Sequence, residues 1–180
     1  MKSRTIGQGN HLKLIEIDWT DDEGNPRKWE AVERMTGNGI VSVMAVTAQK
    51  EVIFISQYRP SVRREVIEFP AGLCDQKGEA LEETALRELR EETGYQAKKI
   101  VKLFAGPVSA GLSSEFLTVF WATDLKFVGK KDGREEKGIT VYRIPFEEAD
   151  EWLRSMEEEG SMLIDVKIWT HISYIKDILA

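Results

Sequence analysis

The stretch Glu79 to Thr93, EALEETALRELREET, decides how this chain is read. Ala, Leu, Glu and Arg dominate it, no Pro or Gly interrupts it, and Gly94 supplies a stop, so the composition predicts a helix. At about 100° per residue, Leu81, Ala85 and Leu89 form its apolar stripe. Glu83, Arg87 and Arg90 fall on the opposite side, where water would solvate them. Glu88 and Glu92 do not. They are four residues apart, lie within about 40° of one another, and share the arc of Leu81 and Ala85, with Glu91 at its flank. Carboxylates turned toward a protein body are costly unless they are paired or bind a cation. A solvated helix laced by i,i+4 pairs such as Glu83 with Arg87 is the plain alternative. Against it stands the facing of Glu88 and Glu92: hard oxygen donors one turn apart, without His or Cys, suit Mg²⁺ or Mn²⁺ rather than zinc.

Outward from this helix, the chain reads as one α+β unit. It has 180 residues, a formal charge of -6 from 31 acidic and 25 basic side chains, two histidines and a single cysteine, Cys74. One cysteine excludes a disulfide framework and a cysteine-based zinc site. The acidic balance argues against a nucleic-acid protein working through a basic face, and an acidic protein that handles phosphates must take its cations from elsewhere. No apolar run approaches the roughly 20 residues of a membrane helix. The first residues, MKSRTIGQGN, lack the apolar core of a signal peptide, so a cytoplasmic location is expected.

Before the helix the pattern is that of strands. His11 to Trp19 alternates apolar and polar residues, Asp21 to Pro26 carries turn chemistry, and a second alternating run covers Trp29 to Met35, which predicts an N-terminal β-hairpin arm over residues 1–36. Ile40 to Val46 and Val52 to Ser56 are rich in β-branched residues and predict buried strands; Glu65 to Phe69 predicts a short one. Strand patterns return at Ile100 to Phe104, Phe116 to Ala122 and Ile139 to Ile144. Helices are predicted after Pro145, with Phe146, Ala149, Trp152, Leu153 and Met156 at helical spacing, and over Trp169 to Leu179.

The run from Gly72 to Tyr95 resembles the box of the Nudix hydrolases: a glycine, five residues, a glutamate, seven residues, then Arg-Glu-apolar-x-Glu-Glu-x-Gly-apolar. Arg87, Glu88, Glu91, Glu92 and Gly94 all match, and the one departure is a spacing of six residues between Gly72 and Glu79. The resemblance implies a Nudix fold for residues 37–180, a mixed sheet core sandwiched between helices. It implies Glu88 and Glu92 as principal ligands of Mg²⁺, with Mn²⁺ an alternative, Glu91 as a further ligand or catalytic neighbour, the Ala71 carbonyl as a backbone ligand, and Arg87 with Glu79 as groups that orient the glutamates.

Beyond the box, WEAVER at 29–34, QYRP at 57–60 and EFPAG at 68–72 are similar to the ADP-ribose pyrophosphatase and nucleoside diphosphate sugar hydrolase branch. That resemblance implies a homodimer with exchanged arms. It implies a base held by Trp29, less firmly by Trp19 or His11, and contacts from Arg34 and Arg59, with Gly111 and Leu112 in the substrate loop Pro107 to Ser113. It also implies a catalytic base on the loop Lys130 to Gly138, Glu135 or Glu136, with Glu115 as a rival. Enzymes dedicated to ADP-ribose usually carry a proline where this chain has Ala110, which points to a broader range of nucleoside diphosphate sugars. Two further readings are a Nudix-fold nucleotide-sugar sensor without hydrolysis, and an enzyme of nucleoside triphosphates or dinucleoside polyphosphates.

Overall fold

The computed structural model describes residues 1–129 and 138–179. Strands β1 (Lys2–Gln8), β2 (Leu12–Thr20) and β3 (Pro26–Arg34) form an antiparallel sheet of their own. The arm is therefore a three-stranded meander, one strand more than the sequence pattern predicts. Strand β1, KSRTIGQ, is almost entirely exposed and has no apolar alternation. It is held by backbone pairing to β2, from Lys2 opposite Asp18 to Gln8 opposite Lys13.

The remainder is built on β4 (Ile40–Ala45), β5 (Glu51–Arg59), β6 (Arg64–Glu68), β7 (Ala71–Leu73), β8 (Tyr95–Pro107), β9 (Phe116–Phe127), β10 (Ile139–Pro145) and β11 (Leu163–Ile164). Two four-stranded sheets result, ordered β10-β5-β6-β11 and β7-β4-β9-β8. Both are mixed, with β4 parallel to β9 and β11 parallel to β6. The helices are α1 (Leu81–Thr93), α2 (Ala149–Glu158), entered through a 3₁₀ turn at Phe146–Glu148, and α3 (Lys167–Leu179).

The unbroken apolar runs of β4 and β5 follow from burial on both faces, since successive side chains of a strand point to opposite sides. Val41, Val43, Ala45 and Ile53 pack with Ala85 and Leu89 of α1. Their neighbours Met44, Val52 and Phe54 pack instead with Leu153 of α2 and Ile168, Ile172 and Ile175 of α3. The sheets are thus sandwiched between α1 on one side and the C-terminal helices on the other. Antiparallel pairing of β4 with β7 sets Val41 opposite Gly72 and Ser42 opposite Ala71, which brings the Ala71-Gly72 backbone under α1. No helix among the described residues is long and apolar enough to cross a membrane.

Candidate active site

Helix α1 starts after Ala80, whose N–H donates to the Glu83 carboxylate at 3.0 Å, and ends at Gly94, which adopts φ +77° as a left-handed cap. Ala85 and Leu89 anchor it to the sheet without exposure. That anchoring turns the next arc of the helix onto β7. Glu92, only 5 % exposed, accepts a hydrogen bond from the Ala71 N–H at 2.9 Å. Glu88 lies so close to the strand that a Cβ on Gly72 would sit 2.0 Å from its carboxyl carbon. The two carboxylates whose facing was anomalous in the sequence both meet the backbone of Ala71 and Gly72.

Arg87 was placed on the solvated side of the helix by its position on the wheel. The structure corrects this: its side chain is only 17 % exposed. Helical side chains lean toward the N-terminus, and Arg87 reaches back to Glu79, donating from Nε at 2.8 Å and from Nη2 at 3.0 Å. Its Nη1 donates to Glu88 at 2.7 Å and to Glu91 at 3.1 Å. Hydrogen bonding to Glu79, before the charges of the other carboxylates, holds the guanidinium pKa above its usual value. The same bond holds the Glu79 carboxyl below its usual value, and the Thr84 hydroxyl, 2.9 Å away, adds to it.

Arg87→Met is expected to lower stability at pH 7 by about 2 kcal/mol, because it takes the shared cation from three half-buried carboxylates. Glu79, its folded pKa depressed, contributes stability that is present above its unfolded pKa of 4.5 and lost as pH falls through the lower, folded value. The difference between wild type and variant therefore narrows on acidification below that range, which urea midpoints at two pH values will show.

The longer spacing after Gly72 is taken up in the loop. Cys74 is buried, exchanges backbone hydrogen bonds with Asn38 and Gly39, and its Sγ approaches the Glu79 carbonyl at 3.3 Å. Gly78, at φ +84°, makes the turn that returns the chain to Glu79. The extra residue thus leaves Glu79 within reach of Arg87.

The arm docks on the segment 109–115 of the same chain. Val32 N–H donates to the Leu112 carbonyl at 2.8 Å, and the indole N–H of Trp29 donates to the Gly111 carbonyl at 3.2 Å. Trp29 remains 48 % exposed. Arg34 pairs with Glu115 at 2.7 Å, and both line a pocket of about 180 Å³ with Asn38, Gly39 and Leu73. Trp29, Arg34, Gly111, Leu112 and Glu115 are thereby brought to one place. Trp19 sits away from them near the turn of β2 and β3, beside Asp18 and Arg27, and His11 is exposed. Glu135 and Glu136 lie outside the described residues.

Arg59 pairs with Glu68 at 2.8 Å, and both line a second pocket, of about 160 Å³, that also includes Ala71. Asp165, just before α3, and Lys167 and His171 in its first turns also line this pocket. The sequence reading missed these residues, since nothing local to α3 marks it as near Ala71.

A NUDIX domain family model matches residues 38–164, more than half of the chain. The chain belongs to the Nudix family. As a Nudix protein it is 35 % identical to an ADP-ribose pyrophosphatase of Bacillus subtilis over 95 % of this chain and 88 % of that protein. It is 30 % identical to a methanol dehydrogenase activator of Bacillus methanolicus, covering 86 % of this chain and 82 % of that one. A crystal structure of an ADP compounds hydrolase superposes with a TM-score of 0.68 at 23 % identity, covering 84 % of this chain and 81 % of that one, and shows the same fold.

Nudix hydrolases use a divalent metal, and the α1 site fits one by donor chemistry. Arg87 pairs with Glu79, Glu88 and Glu91, while Glu92 accepts from the Ala71 N–H and Glu88 packs on Gly72, which sets carboxylate oxygens beside the Ala71-Gly72 backbone. Every side-chain donor is a hard oxygen. Among the described residues, no three His, Cys, Asp or Glu groups stand gathered as a ready chelating cluster.

His171 is only 3 % exposed, and its Nδ1 has no hydrogen-bond partner. Burial, and then the charge of Lys167, lower its pKa to about 4, while Asp165 opposes the shift. The folded state therefore resists a proton that the unfolded chain accepts. Stability held above pH 6.5 is lost as pH falls from 6.5 toward 4, and His171→Phe is expected to remove about 2 kcal/mol of that loss. Thermal melts of both proteins across this range will test it.

Proposed function

We propose that this Nudix protein is a divalent-metal-dependent pyrophosphohydrolase that cleaves the diphosphate of nucleoside diphosphate sugars such as ADP-ribose. Water adds to one phosphorus, the P–O–P bridge breaks, and a nucleoside monophosphate and a sugar phosphate leave. The observation that carries this reading is α1, whose carboxylates crowd the Ala71-Gly72 backbone around one arginine. The similarity to a bacterial ADP-ribose pyrophosphatase over 95 % of the chain supports the substrate class.

Glu88, Glu92, Glu91 and the Ala71 carbonyl would hold Mg²⁺, or Mn²⁺ in its place. A bound divalent cation would supply positive charge against the diphosphate and Lewis acidity at the reacting centre. Arg87, fixed by Glu79, holds Glu88 and Glu91 in place. Arg59, on its carboxylate partner Glu68, offers a guanidinium to a phosphate oxygen. Trp29, with its indole N–H tied to Gly111, leaves a half-exposed ring face on which a base can stack. Arg34 and the backbone of Gly111 and Leu112 complete that side. Glu135 or Glu136 takes the proton of the attacking water, with Glu115 as the alternative base.

Residues 1–36 act as an arm and residues 37–180 as the hydrolase domain of a cytoplasmic homodimer that exchanges arms, the contacts of Val32 and Trp29 with Leu112 and Gly111 then running between the two chains. Light scattering is expected to give twice the 20.5 kDa chain mass. The activity is tested with ADP-ribose, ADP-glucose, GDP-mannose, UDP-glucose and a nucleoside triphosphate under Mg²⁺. Monophosphate and sugar phosphate from several of the sugars is the expected result, and cleavage of the triphosphate alone would overturn the reading.

A further inference from the structure

We infer that Thr84 is a positioning residue for the diphosphate cleavage proposed above: its hydroxyl fixes the carboxylate of Glu79 and, through the fork of Arg87, the place of Glu88. The inference rests on that hydrolase reading. The pattern of the box does not single Thr84 out, because it occupies one of the seven open positions between Glu79 and Arg87. It lies fully buried near the start of α1.

The hydroxyl has one proton and two acceptors within reach. Glu79 Oε2 lies 2.9 Å from it and the Ala80 carbonyl 3.1 Å. A threonine inside a helix commonly gives its proton to the carbonyl four residues earlier, a bond that serves only the helix itself. Here that carbonyl already accepts the Thr84 N–H at 2.9 Å, whereas Glu79 offers a charged oxygen at the shorter distance. A charged acceptor makes the stronger bond, so the proton goes to Glu79.

That bond supplies a fixed reference point. Glu79 precedes the helix, at the end of the lengthened loop, where its N–H donates to the Gln76 carbonyl at 3.2 Å. Arg87 grips its carboxylate with two bonds, from Nε to Oε1 and from Nη2 to Oε2. A planar fork on a planar carboxylate sets the two groups relative to each other, yet both end side chains that can swing together. Thr84, three residues before Arg87 on the neighbouring turn, is short, β-branched and enclosed, so its bond pins the pair to the helix. Arg87 Nη1, on the same rigid guanidinium, donates to Glu88 at 2.7 Å and to Glu91 at 3.1 Å. A chain of three bonds thus runs from Thr84 to Glu79 to Arg87 to Glu88, and a shift at its first link displaces the carboxylate at its last.

Two variants separate positioning from packing. Thr84→Val keeps the volume and the branch and removes the hydroxyl, whereas Thr84→Ser keeps the hydroxyl and removes a methyl group from an enclosed site. Thr84→Val is expected to lower kcat on ADP-ribose about tenfold with KM near wild type, and to weaken calorimetric Mg²⁺ binding about tenfold, while melting near the wild-type temperature. Thr84→Ser is expected to melt lower and yet to recover most of the turnover and of the Mg²⁺ affinity. The order of the two variants therefore reverses between melting temperature and turnover, which loss of packing alone does not produce. In a Glu79→Ala background, Thr84→Val is expected to add no further loss, because no carboxylate is left to hold. Wild-type turnover and Mg²⁺ affinity in Thr84→Val, an equal loss in Thr84→Ser, or a loss additive with that of Glu79→Ala would each overturn the role of Thr84 and leave the hydrolase reading standing. A wild-type protein that cleaves no nucleoside diphosphate sugar under Mg²⁺ would overturn that reading and the inference with it.

Discussion

Glu92→Gln is expected to lower kcat on a nucleoside diphosphate sugar by about a thousandfold, with little change in melting temperature. The asymmetry between these effects follows from what the carboxylate touches. Glu92 is nearly inaccessible and accepts the Ala71 N–H at 2.9 Å. The amide of Gln has the same shape and an oxygen that accepts the same bond, so the link from α1 to β7 survives. What disappears is a negative charge, which under the metal assignment proposed above is what a divalent cation would meet. Glu83→Gln is the matching control: Glu83 is exposed, caps Ala80 on the other side of the helix, and should leave turnover unchanged. The measurement is turnover at saturating Mg²⁺ together with calorimetric Mg²⁺ affinity. Near wild-type turnover under saturating Mg²⁺ would sink the assignment of Glu92 as a ligand.

The same helix shows why part of the site could be read from the sequence and part could not. Glu88 and Glu92 were legible because burial and helical period are both local properties, and the two conflicted. Arg87 misled the wheel for an equally physical reason. A projection records where Cα points, whereas a long side chain lying back along the helix can reach Glu79 eight positions earlier. The strands β4 and β5 declared themselves by apolar runs that only two covered faces can explain. Strand β1 did not, because it joins the arm through its backbone and buries almost nothing. The α3 lining of the Arg59 pocket had no local signature at all. Asp165, Lys167 and His171 meet Arg59 and Ala71 only because the C-terminal helix packs on the face of the sheets opposite α1.

The acidic balance of the chain takes on a different meaning in this light. Read as composition, it discouraged nucleic acid bound through a basic face. Placed in the fold, three of those carboxylates pair with a single arginine and a fourth, Glu92, accepts from the Ala71 N–H, beside a backbone segment with a carbonyl to offer. In the function proposed, a cation carries most of the charge against the diphosphate, and Arg59 and Arg34, each held by one carboxylate, assist it.

Gly72→Ala should be the most damaging change available without touching a charged group. Gly72 does not occupy the left-handed region and sits in β7 opposite Val41, so the backbone itself tolerates alanine. The obstacle is Glu88. The new Cβ would lie 2.0 Å from its carboxyl carbon, 2.2 Å from Oε1 and 2.4 Å from Cγ, so one of the two must move. A strand hydrogen-bonded to β4 is stiff and a glutamate side chain is not; Glu88 therefore swings away while the fold stays. The expected result is a cooperative melt near the wild-type temperature with kcat lowered about a hundredfold or more. Gly106→Ala, in β8 with open space around it, should do nothing. The decisive measurement is a double-mutant cycle with Glu88→Ala. If Gly72 acts only by admitting Glu88 to its place, Gly72→Ala adds almost no further loss once Glu88 is gone, because there is no carboxylate left to displace. Additive losses would mean that the methyl group disturbs something other than Glu88, and the close packing of Glu88 on Gly72 would then have no bearing on turnover.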